Sequence, residues 1–182
     1  MPTLIHLNGP TGVGKSTIAA RYADEHPKTL NLDADEIVRL IGGWRDDFPG
    51  TVRLVRPLAL AMAARHLSCG HDVVMPQLIT DRGQSAAFAQ AAAAAGARYR
   101  EFVLLAAPET TIDRFRRRDH HIDTAVEAMG GATVIRRIHQ HLAAYLTPES
   151  VVIETDGADA DHTYETLMAA LAKEPGTAGP GR

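Results

Sequence analysis

Near its start the chain reads Gly9-Pro10-Thr11-Gly12-Val13-Gly14-Lys15-Ser16, the P-loop spacing of glycine, four residues, glycine, lysine and serine. This run restricts the fold more than any other, because such a loop works between the end of a buried strand and the start of a helix. Both flanks agree: Thr3-Leu4-Ile5-His6-Leu7 is a short apolar strand, and Ser16 to Ala23 has helical composition. A helix starting near Lys15 aims its unpaired N–H groups and positive dipole end at the loop. The chemistry served is binding of a nucleoside triphosphate, with ATP and Mg²⁺ as the expected cofactors. Candidate contacts are Gly9, Thr11, Gly12, Val13, Gly14, Lys15, Ser16 and Thr17. Glycines let backbone N–H groups close around phosphate oxygens, Lys15 reaches the β- and γ-phosphates, and the Ser16 hydroxyl ligates Mg²⁺.

Beyond the loop, short apolar runs alternate with longer helical stretches, the pattern of a parallel sheet wrapped by helices. Five strands are expected, at about 3–8, 29–33, 72–76, 100–106 and 150–155, each continuously apolar as in strands buried on both faces. Helices are expected near 16–25, 34–41, 52–68, 82–95, 109–118, 132–145 and 161–173, with Gly70 and Gly96 at helix C-termini. The fold class is α/β, a P-loop NTPase fold with helices on both faces of a five-stranded parallel sheet. A length of 182 residues suits one domain over 1–173, followed by a Gly- and Pro-rich flexible tail over 174–182.

No stretch approaches the roughly 20 apolar residues of a membrane span, and the immediate N-terminal strand leaves no room for a secretory signal. No membrane partner is expected, and the cytoplasm is the expected location. Cys69 is the single cysteine, which excludes an internal disulfide and a cysteine-rich zinc site. The net charge of −3 gives no global attraction for nucleic acid, so the expected partner is a small molecule. The chain is expected as a monomer or homodimer.

The second strand ends in Leu32-Asp33-Ala34-Asp35-Glu36. On this reading the strand lies next to the P-loop strand and brings its carboxylates to the sheet edge where ligands bind. Asp33 is placed to hold Mg²⁺, directly or through water, and Asp35 to orient and deprotonate an attacking hydroxyl. Helix N-capping is the other reading of both, and one residue can do both. The third strand, Val73-Val74-Met75-Pro76-Gln77, has no terminal Asp, which argues against a motor-type ATPase. Gln77 stands at the functional edge as a substrate contact or as a satisfied loop residue.

In Glu109 to Arg118, Arg114 and Arg118 fall at i and i+4 and share a helix face that can clamp phosphates as a closing flap. A solvated surface run or an RNA-binding patch are the competing readings, the second disfavoured by the lack of interleaved aromatics. The segment Gly42-Gly43-Trp44-Arg45-Asp46-Asp47-Phe48-Pro49-Gly50 reads as a binding surface for an amphipathic or sugar-like acceptor, with Trp44, Arg45 and Phe48 as substrate candidates. Its alternative is a Trp plugging the core edge. His120-His121, His139 and His141 lack metal-binding helical spacing and read as surface histidines.

The P-loop with Asn8, the Asp46-Asp47-Phe48 segment, the strand Val73-Val74-Met75-Pro76, and the run from Phe102 to Thr110 continuing to Arg118 together resemble the tunicamycin-resistance ATP-binding proteins. The likeness covers most of residues 1 to 120, and the C-terminal third follows the family loosely. That family is similar to a branch of P-loop kinases that includes chloramphenicol phosphotransferase, shikimate kinase, gluconate kinase and zeta toxin. The resemblance implies that Asp35 is the catalytic base, that Arg114 and Arg118 are lid arginines, and that Thr155-Asp156-Gly157 lies near adenine. The expected activity is transfer of the ATP γ-phosphate to a hydroxyl of a nucleoside- or sugar-containing antibiotic such as tunicamycin. Sequestration of the drug without chemistry, and a zeta-toxin-like nucleotide-sugar kinase, are the alternatives.

Overall fold

A computed structural model describes residues 1–117 and 122–173. Five strands, β1 (Thr3–Asn8), β2 (Leu30–Asn31), β3 (Val73–Pro76), β4 (Arg98–Leu105) and β5 (Val151–Glu154), form one sheet in the order β2-β3-β1-β4-β5. Every neighbouring pair is parallel. The helices are α1 (Lys15–Glu25), α2 (Ala34–Arg39), α3 (Phe48–Ser68), α4 (Arg82–Ala94), α5 (Pro108–Arg117), α6 (Asp123–Ala128), α7 (Ala132–Tyr145) and α8 (Ala160–Ala172). The α/β class and the five parallel strands expected from the sequence are present.

Alternation along the strands divides the core into two layers. Ile5 and Leu7 of β1, Val74 of β3, and Phe102 and Leu104 of β4 pack on α1 and α8 through Ile18, Tyr22, Tyr164 and Leu167. Leu4, Val73 and Met75 face the other way, onto Ala59, Ala63 and Leu67 of α3 and Phe88 and Ala92 of α4. Helices therefore cover both faces, which is why the central strands carry the apolar runs Leu4-Ile5, Val73-Val74-Met75 and Phe102-Val103-Leu104-Leu105.

Two expectations are corrected. β2 does not lie next to β1, because β3 pairs with both of them. The fully buried Val-Val-Met-Pro strand suits the interior, whereas a two-residue strand with Asn31 exposed suits an edge. β5 is not buried on both faces: Val151 and Val152 are exposed at the opposite edge.

Helix ends follow local chemistry. The Asp47 side chain accepts from Gly50 N–H at 2.9 Å and caps α3, with a proline in the first turn, so this helix begins earlier than residue 52. Gly70 and Gly96 follow α3 and α4 with φ of 85° and 67°, donating to Leu67 O and Ala93 O, as C-terminal glycines should. Cys69 is the exposed C-cap of α3. The short helix α6 was not expected. Its Val126 packs with Ile112, Phe115, Ile122 and Ile135 in a separate cluster joining α5, α6 and α7. Among the described residues, no helix is long and apolar enough to cross a membrane.

Candidate active site

The P-loop leaves β1 at the C-terminal edge of the sheet, where β3 and β4 flank it, and opens directly into α1. Its glycines play different parts. At Gly9 (φ 141°) a Cβ would stand 2.3 Å from Leu104 O, and at Gly12 (φ 87°) 2.5 Å from Thr111 O, so both let the loop press against neighbouring backbone. Gly14, the N-cap of α1 with φ 102°, has open space on its Cβ side. No acidic residue occupies the first turn of α1, so its N–H groups and dipole end favour an anion. Lys15 Nζ crosses the loop, donating to Gly9 O and Pro10 O at 2.9 Å each.

Asn8 anchors this loop from below and is fully buried. Its Oδ1 accepts from Gly9 N–H (2.8 Å) and Ile79 N–H (3.0 Å), and its Nδ2 donates to Ile79 O (2.7 Å) and Glu101 Oε1 (2.6 Å). Tyr145 OH donates to the Glu101 carboxylate at 2.9 to 3.0 Å. His6 lies beside this group, also fully buried, with Nδ1 2.8 Å from Tyr99 OH and Nε2 2.8 Å from Gln77 O. Burial depresses its pKa, against a weaker opposing pull from Glu101, so the imidazole is neutral and fits the network with Nε2–H donating to Gln77 O and Tyr99 OH donating to Nδ1. Burial likewise raises the Tyr99 phenol.

Asp33 uses its two oxygens differently. Oδ1 accepts from Asp35 N–H at 3.0 Å and caps α2, while Oδ2 accepts from Ser16 Oγ at 2.9 Å. The hydroxyl and carboxylate converge although β3 separates β2 from β1. Both are hard oxygen donors that suit Mg²⁺. No group of three or more His, Cys, Asp or Glu side chains placed to hold a metal ion occurs among the described residues, so a magnesium ion here would complete its shell with phosphate oxygens and water.

Asp35 lines a cavity of about 210 Å³ together with Thr11, Lys15, Ser16 and Gln77. Its walls are apolar, with Val38 of α2, Phe48, Val52 and Val55 of α3 and Ile138 of α7 among them. Two of its polar atoms, Gln77 Oε1 and Arg56 Nε, are buried without a hydrogen-bond partner, a condition that costs about 1–3 kcal/mol per atom. Arg56 and the walls supplied by α6 and α7 were not among the residues singled out from the sequence. Arg56 had no motif to mark it, and α6 and α7 reach the cavity only through the tertiary fold.

Several candidates lie elsewhere. Trp44 does not form a binding surface: it is 6% exposed and packs with Ala34, Val38 and Val55 between α2 and α3, edge-on to Phe48. Arg45 lies over the Trp44 ring at 4.4 Å, and neither residue lines the cavity, whereas Phe48 does. The indole is better satisfied in the core than in water because of its large apolar area. Arg114 donates to Thr155 Oγ1 (3.1 Å) and Thr155 O (2.8 Å). It lies in a second cleft with Val13, Gly14, Thr17 and Thr163. Asp156 ties the loop after β5 to the start of α5 by accepting from Ala107 N–H at 2.6 Å, and hydrogen bonds from Thr110 and Ala107 hold its carboxyl below the usual carboxylate range. His139 is half-buried, with Nε2 2.8 Å from the buried Thr111 Oγ1 and its pKa lowered by burial, whereas His141 is exposed. Arg118, His120 and His121 lie outside the described residues, as does the tail over 174–182.

Residues 4–144 match the family model described as an AAA domain. No curated protein matches the chain by sequence. Among solved structures, the tunicamycin resistance protein of Deinococcus radiodurans is 19% identical over 96% of this chain and 98% of its own, with a TM-score of 0.60. A gluconokinase from Sinorhizobium meliloti 1021 is 14% identical over 94% and 91%, with a TM-score of 0.63. The Mycobacterium tuberculosis APS kinase CysC, in complex with AMPPNP and APS, is 18% identical over 94% and 98%, with a TM-score of 0.60. The fold is the P-loop fold that these proteins share.

Proposed function

We propose that this chain, which belongs to the AAA domain family, is an ATP-dependent phosphotransferase that moves the γ-phosphoryl group to a hydroxyl of a nucleoside- or sugar-containing small molecule, with tunicamycin as the leading ligand. One observation carries the reading: the Asp35 carboxylate lines the same cavity as Lys15 and Ser16 of the P-loop. A carboxylate so placed serves a hydroxyl acceptor rather than nucleotide binding alone.

Bound ATP·Mg²⁺ would supply the phosphoryl group and neutralise charge as it transfers. The protein's part is positional and electrostatic. Lys15 would exchange its loop carbonyls for phosphate oxygens, Ser16 and Asp33 would hold the magnesium, and Asp35 would accept the proton of the acceptor hydroxyl while that hydroxyl's oxygen bonds to the γ-phosphorus and the bond from phosphorus to the β,γ-bridging oxygen breaks, with ADP leaving. The apolar walls keep out water that would otherwise compete. Arg114, fixed on Thr155 beside Val13 and Thr17, serves the base end of the nucleotide, and Arg118 remains the candidate lid arginine. The cavity is smaller than the roughly 300–1,000 Å³ of sites that enclose drug-sized ligands, so only the reacting part of an antibiotic would sit inside.

Acceptor-dependent release of ADP in the presence of tunicamycin, with Lys15→Ala and Asp35→Asn alongside, tests this. Turnover should require both residues. Full turnover by Lys15→Ala would remove the assignment, and drug protection unchanged by Asp35→Asn would favour sequestration.

A further inference from the structure

Phe102 and Leu104 of β4 face α1 and α8, so Tyr99, Glu101 and Val103 face the other way. With Arg82 of α4 and Tyr145 at the end of α7 they line a cavity of about 440 Å³ that shares no residue with the one holding Asp35. Its volume is that of a small-molecule site. Two opposite charges stand in it without neutralising each other. Glu101 keeps 21% of its side chain exposed and accepts from Asn8 Nδ2 and Tyr145 OH. A carboxylate has roughly four lone-pair sites, so capacity remains for another donor. The basic group beside it, His6 at 3.4 Å, is buried and neutral. Arg82 donates to Tyr145 O at 2.7 Å, with Cζ 5.4 Å from the ring centroid. Tyr145 thus meets Glu101 at its hydroxyl and Arg82 at its carbonyl oxygen, and it holds the two charges apart.

We propose that this cavity is a second ligand site, for a free α-amino acid with an apolar side chain, whose carboxylate pairs with Arg82 and whose ammonium meets Glu101. The guanidinium fork matches a carboxylate, and a charged donor on Glu101 makes the stronger kind of hydrogen bond. A simple cation would be repelled by Arg82. A simple anion would be repelled by Glu101 and by Glu149, which lines the same cavity. A zwitterion satisfies both charges. The side chain would lie on Ala86, Ala89 and Val103, a wall on which an aminoalkyl phosphate has nothing to place. Occupation reaches the P-loop through two bonds, from Asn8 Nδ2 to Glu101 Oε1 at 2.6 Å and from Gly9 N–H to Asn8 Oδ1 at 2.8 Å. An ammonium on Glu101 draws on the carboxylate to which Asn8 donates, so amino acid and nucleotide change each other's affinity by one common factor.

The test is calorimetric titration of the full chain with L-leucine, with L-leucinamide, which lacks the carboxylate, with 2-hydroxy-4-methylpentanoate, which lacks the ammonium, and with phosphoethanolamine. Leucine should bind, and either loss should weaken binding by about tenfold or more, as loss of a hydrogen bond between charged groups does. Arg82→Gln, at an exposed position and checked by its melting curve, should bring leucine down to the level of leucinamide. Saturating leucine should shift the affinity for a non-hydrolysable ATP analogue by about fivefold or more in the unaltered chain and not in Arg82→Gln. No leucine binding, equal binding of leucine and either analogue, or phosphoethanolamine binding in place of leucine would each overturn the proposal. Leucine binding with unchanged affinity for the ATP analogue would overturn the link to the P-loop. Should Arg82→Gln fail to fold, the two leucine analogues on the unaltered chain decide alone. None of these readouts involves phosphoryl transfer, so the site and the phosphotransferase reading fail independently.

Discussion

Replacing Asn8 with alanine exposes how the loop is held. The side chain is fully buried and makes four hydrogen bonds, to Gly9 N, Ile79 N, Ile79 O and Glu101. Truncation strands the N–H groups of Gly9 and Ile79, and each buried donor left unpaired costs about 1–3 kcal/mol, giving about 2–6 kcal/mol in total. That is a large part of the stability of an ordinary domain, about 5–15 kcal/mol. Urea unfolding followed by circular dichroism reads it as a lower midpoint at unchanged slope. Asn8→Asp separates the parts: both N–H groups keep their acceptor, while the new oxygen faces Ile79 O and Glu101. Its loss should therefore ease as pH falls and the carboxylate pair gains a proton. A loss under about 0.5 kcal/mol for Asn8→Ala would refute the argument, because the stranded donors would then have found other partners.

Trp44→Ala should cost about 3–5 kcal/mol in the same assay, as for other buried large-to-small changes, and leave acceptor affinity little altered, since Trp44 lies outside the cavity. Gly12→Ala should weaken ATP binding measured by calorimetry and lower the melting temperature, because its Cβ would meet Thr111 O at 2.5 Å; Gly14→Ala, with open space, should bear only the cost of its positive φ. Stability should also depend on His6. Its folded-state pKa is depressed by burial from the model-peptide value of 6.5, so the unfolded chain takes up a proton first as pH falls. The contribution is fully present above about pH 6.5 and is lost progressively below it. Unfolding midpoints from pH 8 to pH 5 should show this slope, and His6→Gln should reduce it, leaving the part that comes from His139, whose pKa burial also lowers.

Local rules carried much of the fold. β1 and β3 are buried along their whole length and β4 over Phe102-Val103-Leu104, and these stretches show as apolar runs in the sequence, while Gly70 and Gly96 mark helix ends by their positive φ. Strand order was not readable that way, because an apolar run does not state its neighbours; β3 entered between β1 and β2 through pairings 69 residues apart with β1 (Leu4 with Val73) and 43 apart with β2 (Leu30 with Val73). The start of α3 was encoded in Asp47-Phe48-Pro49, a cap followed by a first-turn proline, yet the charged and aromatic mixture there resembled a binding loop. The site divided similarly. Lys15, Ser16, Asp33, Asp35 and Gln77 gather at one edge because the loop motif and strand ends put them there. Trp44 was drawn inward by Val38 and Val55, and Arg56 was one arginine among several on an amphipathic helix until its buried Nε distinguished it.

The central claim is that the cavity shared by Lys15, Ser16 and Asp35 transfers a phosphoryl group to a small-molecule hydroxyl. Mass spectrometry of tunicamycin after incubation with the protein and ATP·Mg²⁺, with Asp35→Asn in parallel, tests it directly. The account predicts a product carrying one added phosphoryl group, formed by the unaltered chain and not by the variant. Unmodified drug retained by the protein only when ATP is present would contradict it and establish sequestration instead.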